Sequence, residues 1–232
     1  MPQGHSTSRL TQEDIRRKYN QFAPWYDLAE ALPELLGVQS LRRTLLQRAS
    51  GQILEVAVGT GKNLPYYPTT CQFTAADVSL AMVARARQRA DTLGLHGHLQ
   101  VMDAAHLGFP DQHFDTVVDT LALCTFPDPV AALREMARVC RPAGHLLLLE
   151  HGRSDRAWLG RWQDRRAERH ARHLGCYWNR EPLALVRQAG LRLLTTERRF
   201  FGIFHLLEAA PPATALAAVG EGSATRDRGR HA

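Results

Sequence analysis

Short apolar runs alternate with helical patterns along most of the chain, and this rhythm admits few architectures. "QILEVAV" (52–58), "QFTAADV" (72–78), "GHLQVMDA" (97–104), "FDTVVDTLAL" (114–123) and "GHLLLLEHG" (144–152) read as strands. "SLAMVARARQRADTLG" (79–94) reads as a helix capped by Ser79 and stopped at Gly94. "DPVAALREMARVCRPAG" (128–144) reads as another, with Asp128 as N-cap and Pro129 in the first turn. It puts Val130, Leu133, Met136, Ala137 and Cys140 on one face. Strand–helix alternation of this kind implies an α/β fold, a mostly parallel sheet with helices on both faces. "LRLLTTERRF" and "GIFHLLEAA" are close enough to form a hairpin, so at least one strand should run antiparallel, and we predict seven strands in all. In such sheets ligands sit beyond the C-terminal strand ends.

At 232 residues the chain suits one domain with appendages. We predict that residues 1–10 and 212–232 are disordered and that 11–211 form the single domain. No run of about 18 apolar residues suggests a membrane span, and the N-terminus has no signal-like apolar stretch. Cys71, Cys124, Cys140 and Cys176 form no CxxC pair, which suggests a reduced, cytoplasmic protein. The net charge is +6. Arginines crowd residues 153–172, as on a solvated helix or a surface facing an anionic ligand or acidic membrane. Without a base-stacking motif or a basic stripe, no nucleic-acid partner is expected.

The turn after the first strand, "ILEVAVGTGKNLPYYP" (53–68), selects the ligand. A nicotinamide site would want glycine or alanine where Leu64 stands. A P-loop would want glycine at Val56 and Ser or Thr at Asn63. The pattern present is Glu55-x-x-x-Gly59-x-Gly61. Its glycines let backbone approach a ligand, and Glu55 can face a positive end. Asp77 closes the second strand, where an acceptor can bind both ribose hydroxyls, and Asp103 closes the third, where a carboxylate can meet an adenine amino group. Each aspartate could equally be a helix N-cap. Together they describe S-adenosylmethionine.

The pieces "LEVAVGTG", "ADVS", "VMDAAHLGFPDQHFDTVVDTLAL", "DPVAALREMARVCRPAGHLLLLEHGRS" and the closing hairpin resemble class I S-adenosylmethionine-dependent methyltransferases over residues 12–210. The resemblance implies a Rossmann-like fold. It implies that Ala57 stands where a first glycine is usual and that Gly59 and Gly61 lie under the methionine part. Asp77 with Val78 would hold the ribose, Asp103 and Ala104 would read the adenine, and Thr120 and Leu121 would face the sulfonium. "RRKYNQFAPWYDLAE" is similar to the cap of quinone-biosynthesis methyltransferases of the UbiE kind, so residues 11–50 would be cap helices. Tyr19 and Tyr26 would then close over the cofactor and acceptor, or pack as part of an amphipathic helix.

"LCT" (123–125) stands where quinone C-methyltransferases usually carry "LRN", which speaks against C-methylation of a quinol. The run "LCTFPDP…EHGRS…GCYWNRE" instead resembles a subgroup holding alkyl-thiol methyltransferases and phospholipid N-methyltransferases. The resemblance implies an acceptor lid at 153–182, with Trp158, Trp162, Tyr177 and Trp178 as an apolar lining or as ordinary core. Asp119 and His151 are the candidate bases, with His151 also a candidate acceptor-site residue, and Cys124 a wall residue. The expected acceptor is a lipophilic small molecule methylated at a thiol, amine or phenol. A phospholipid amine and a quinone carbon are the alternatives, and a cofactor-binding protein without activity is the rival from another class. Contact with a membrane surface is not predicted. "NLPY" (63–66) lies after the wrong strand to mark a nucleic-acid enzyme. His170, His173 and Cys176 have metal-like spacing without a fourth ligand, so no metal is predicted.

Overall fold

A computed structural model describes residues 10–213. The expected disorder of 1–9 and 214–232 lies outside the described residues. The N-terminal part is helical: α1 (Gln12–Ala29), one turn α2 (Ala31–Pro33), a π-helical turn (Glu34–Val38) and α3 (Gln39–Leu46). α1 begins with a capping box in which Thr11 Oγ1 accepts from the Asp14 N–H (3.2 Å) and the Thr11 N–H donates to Asp14 (3.1 Å).

β1 (Gln52–Val56), β2 (Gln72–Asp77), α4 (Leu80–Thr92), β3 (Gly97–Val101), β4 (Phe114–Thr120), α5 (Pro129–Val139) and β5 (Cys140–His151) follow. α6 (Ala157–Leu174), α7 (Pro182–Gln188), β6 (Arg192–Arg199) and β7 (Phe204–Ala210) complete the chain. The strands form one seven-stranded sheet in the order β3-β2-β1-β4-β5-β7-β6. β7 is antiparallel to both its neighbours and the other pairings are parallel, as the hairpin reading required.

Successive side chains alternate across the sheet, so a strand buried on both faces is mostly apolar, and each polar residue in it needs its own account. Leu54, Val56, Val117, Leu146 and Leu148 pack in one core with residues of α5 and α7. Ile53, Val118, Leu147 and Leu149 pack in the other with residues of α3 and α4. Burying each such leucine contributes about 1.5–3 kcal/mol. The Ser79 and Asp128 caps form as expected, accepting from Met82 N–H and from Val130 and Ala131 N–H.

Five element ends differ from the sequence reading. α5 ends at Val139 and β5 starts at Cys140, because Pro142 disfavours helical Arg141 and lacks an N–H. β3 stops at Val101, so Asp103 lies beyond the strand, bridged to His106 in a turn. β1 and β4 end at Val56 and Thr120, each followed by a residue with positive φ, Ala57 (54°) and Leu121 (59°). Such a turn costs a non-glycine residue about 1–2 kcal/mol, and it directs both chains away from the sheet where strand order reverses.

Candidate functional site

The gap opened by those two turns is a cavity. Ala57 and Gly59 form its floor after β1, Asp77 and Val78 its wall after β2, and Thr120 and Leu121 its wall after β4. Met102 and Ala104 close one end, and Tyr19 and Tyr26 of α1 cover it. Burial, the first cause for both tyrosines, pushes their phenols well above the usual range, so they stay neutral donors. Residues that the sequence assigned to a cofactor therefore meet around one space, with Glu55, Gly61 and Asp103 outside its lining.

The two glycines do different work. A Cβ on Gly59 (φ 56°) would meet nothing within 4 Å, so that position opens into the cavity. A Cβ on Gly61 (φ 79°) would lie 2.8 Å from Leu64 Cδ1 and 3.2 Å from Ala86 Cα, so Gly61 lets α4 close on the turn. Gly59→Ala should leave a folded chain that is destabilised by about 1–2 kcal/mol. It should lose roughly 10- to 100-fold in affinity for whatever lies against the turn. Thermal unfolding and calorimetry on one sample would show both, and unchanged affinity would take the ligand away from Gly59.

Asp77 accepts from the Gly59 N–H (2.9 Å) and from the Ser79 N–H (2.8 Å). Burial outweighs these bonds and lifts its carboxyl to about 6. A carboxylate has about four acceptor sites, so two remain for a diol. Asp103 spends Oδ1 on the Ala105 N–H in its own turn (2.9 Å).

Glu55 lies beneath the turn, taking Asn63 Nδ2 (2.8 Å) and the Tyr67 hydroxyl (2.8 Å), and burial lifts it to about 7. Arg42 extends this network from α3. It donates to Asn63 Oδ1 (2.8 Å), Thr120 Oγ1 (2.7 Å) and Glu34 (3.0 Å), with only 4% of its surface exposed. Arg42, Asn63 and Tyr67 thus fix the cavity walls, a role the sequence reading did not assign them.

Asp119 is buried in the core, outside the cavity lining, and neither carboxyl oxygen has a hydrogen-bond donor among the described residues. Burial first, and the neighbouring Glu150 next, hold it far above the usual range, which favours a neutral acid over a base. Glu150 receives the Ala122 and Leu123 N–H groups (3.2 Å each), fastening the loop after β4.

His151 ends β5, and its Nε2 lies 3.4 Å from Cys176 Sγ. Cys124 completes a trio whose ligand atoms all lie within 4.8 Å of one another. A hydrogen bond between the free Cys124 and Cys176 thiols is the first cause that lowers Cys176; His151 adds to it and burial opposes. The same bond, then burial, raises Cys124. His173 is exposed, and His170 Nδ1 meets the Cys176 carbonyl (2.9 Å), so the spacing noted in sequence does not converge.

The lid aromatics divide. Trp178 stacks on His170 (4.1 Å) and packs at a tilt against Trp162 (4.9 Å). Tyr177 lies 5.0 Å from the Arg180 guanidinium, while Trp158 is 68% exposed. None of the four lines the cavity.

Residues 54–148 match a family model described as a methyltransferase domain. A phosphatidylethanolamine N-methyltransferase of Cereibacter sphaeroides is 43% identical over 111 residues, 47% of this chain and 55% of that protein. The ubiquinone/menaquinone biosynthesis C-methyltransferase UbiE of Pseudomonas fluorescens is 33% identical over 123 residues, 50% of this chain and 48% of that one. The chain thus spans about half the length of these curated relatives. The solved structure of an S-adenosylmethionine-dependent methyltransferase of Thermotoga maritima superposes with a TM-score of 0.62, covering 84% of this chain and 99% of its own at 21% identity, a likeness of fold.

Proposed function

We propose that this chain, whose residues 54–148 match the model of a methyltransferase domain, is an S-adenosylmethionine-dependent methyltransferase that moves a methyl group to a heteroatom of a lipophilic acceptor. One observation carries the reading: the open space over Gly59 and the buried Asp77 carboxylate face the same cavity at the strand-order reversal. Bound there, the donor supplies an electrophilic sulfonium methyl. Asp77 accepts the ribose hydroxyls, Ala104 and Met102 flank the adenine, and Tyr19 and Tyr26 shield the cavity from water. The protein's contribution is alignment and exclusion of solvent. In this reading His151, at the end of β5, serves the acceptor, and 153–182 supply its lid.

The acceptor's lipophilic character has its own support. Trp25, Leu28, Leu32, Leu35 and Leu36 are all largely exposed on the N-terminal helices, and Phe200 and Phe201 are exposed on the β6–β7 turn. The two groups adjoin, since a Cβ on Gly37 would come within 2.7 Å of the Phe200 ring. Exposed arginines of α6 and β6 lie in neighbouring elements. Among the described residues no helix is long and apolar enough to cross a membrane. An apolar face of this kind favours an acceptor drawn from a lipid phase, and a phospholipid amine is the second reading.

Incubation with methyl-labelled donor and a panel of alkyl thiols, lipophilic amines, phenols, phosphatidylethanolamine vesicles and quinols tests this. Label on a heteroatom acceptor is expected; label on the quinol carbon alone, or on none with the donor bound, would overturn the reading.

The Asp77 carboxyl, lifted to about 6, also sets a pH dependence. Ribose hydroxyls donate to the ionised form, so donor binding lowers that pKa and expels a proton. Affinity should be level above about pH 7 and fall towards tenfold per unit below about pH 6. Calorimetry in buffers of different ionisation enthalpy would read the proton release, and uptake of a proton instead would contradict the assignment.

A further inference from the structure

We propose that Cys124 Sγ, His151 Nε2 and Cys176 Sγ are the three protein ligands of a zinc-class divalent cation, whose fourth position takes the thiol of the acceptor. The acceptor half of this rests on the methyltransferase reading above; the metal half does not.

The three residues come from separate segments: the loop after β4, the end of β5 and the loop after α6. Chance local sequence does not bring them together; the fold does. Ligands of one tetrahedral zinc, with bonds near 2.3 Å to sulfur and about 2.0–2.1 Å to nitrogen, lie roughly 3.5 Å apart. The Cys176–His151 separation is 3.4 Å, and all three ligand atoms fit within 4.8 Å. Two sulfurs and an imidazole form a soft set that suits zinc over magnesium or calcium.

The surroundings hold each ligand from behind. The Tyr177 N–H donates to the Cys124 carbonyl (2.9 Å), and Arg180 donates to the Leu123 and Phe126 carbonyls that bracket it. His170 Nδ1 meets the Cys176 carbonyl (2.9 Å). Such outer contacts orient metal ligands. The three ligands lie outside the cavity lining, but the Cys124 loop joins them to it. Cys124 Sγ contacts the Leu121 carbonyl (3.6 Å), and Leu121, Ala122 and Thr125 of the same loop line the space.

Charge favours a thiol as fourth ligand. Two thiolates and a neutral imidazole balance a divalent ion, so a third thiolate leaves the site with one negative charge and keeps the bound sulfur electron-rich. The acceptor S–H gives its proton to solvent. A sulfur electron pair then forms the new S–CH3 bond, and the old C–S bond breaks with its pair staying on the donor sulfur. The reaction needs no oxidant, and the ion returns unchanged.

The test uses the full chain, reduced and stripped with a chelator, then titrated with zinc and separately with cobalt(II). One ion per chain is expected, with a thiolate-to-cobalt charge-transfer band and visible bands of a tetrahedral ion. Hexanethiol should shift those bands. Cys176→Ala and His151→Ala should each weaken binding more than about 100-fold, while His173→Ala binds as the parent does. Donor affinity, read on every sample, shows that each variant is folded and keeps the two readings apart. A chain that binds donor but no metal, that keeps its ion without Cys176, or that holds a Cys124–Cys176 disulfide under reductant overturns the site. An ion bound with no response to hexanethiol, or bound by a chain with no affinity for donor, overturns the acceptor role.

Discussion

Asp77→Ala should weaken S-adenosylmethionine binding by about 100-fold or more. Each hydrogen bond from a hydroxyl to a charged acceptor is worth about 1.5–3 kcal/mol, and two of them in a buried site convert to at least roughly 100-fold in Kd. The variant also frees the Gly59 and Ser79 N–H groups that Asp77 now accepts, which loosens the turn under the donor. Asp77→Asn separates the two effects. It keeps the side-chain shape and one acceptor oxygen, so it holds one of the two N–H groups and turns its own NH2 towards the other; the turn should loosen less than in Asp77→Ala, donor affinity should still fall, and that affinity should no longer drop further below about pH 6. Calorimetry at pH 7.5 on both variants, with a thermal scan to confirm folding, gives the comparison. Equal affinity in parent and Asp77→Ala would remove the ribose assignment.

Arg42→Met should cost about 3–5 kcal/mol of stability, the range for breaking one side of a buried ion pair. The guanidinium joins α3 to the turn after β1 and to the end of β4 through Asn63 and Thr120, and it pairs with Glu34. Methionine keeps the volume and removes every donor, stranding Asn63 Oδ1 in the interior and leaving Glu34 only Lys62, at 3.6 Å. For a chain of this size the melting temperature should fall roughly 6–20 °C. A fall below about 2 °C would show that the network is not what fixes the N-terminal helices to the sheet. Donor affinity should fall less than in Asp77→Ala, because Thr120 is repositioned and not removed.

Much of the sheet could be read in the sequence because parallel strands buried on both faces are mostly apolar, and "LLLL" at 146–149 has no other good use. Asp77 and the Gly59 turn were visible because strand ends in this architecture have a fixed geometric meaning. Arg42 was not assigned, though its signal is present. Val38, Leu41, Arg42, Leu45 and Leu46 fall at helical spacing on one buried face, and an arginine within such a stripe must find partners. The partners themselves, Asn63 and Thr120, are distant in sequence, and periodicity cannot supply them. Asp103 does not itself close β3, which stops two residues earlier, where the chain turns to bridge His106. Cys176 was grouped with His170 and His173 by spacing along one helix. Its contacts instead cross from the α6–α7 loop to β5 and the β4 loop, a convergence set by tertiary packing alone.

The cavity at the ends of β1, β2 and β4 is where the methyl donor should bind. A crystal structure with S-adenosylhomocysteine tests it most directly. It should show both ribose hydroxyls about 2.7 Å from the Asp77 carboxylate and the amino-acid end over Gly59. A dinucleotide in that cavity, or the compound bound elsewhere with Asp77 untouched, would contradict it.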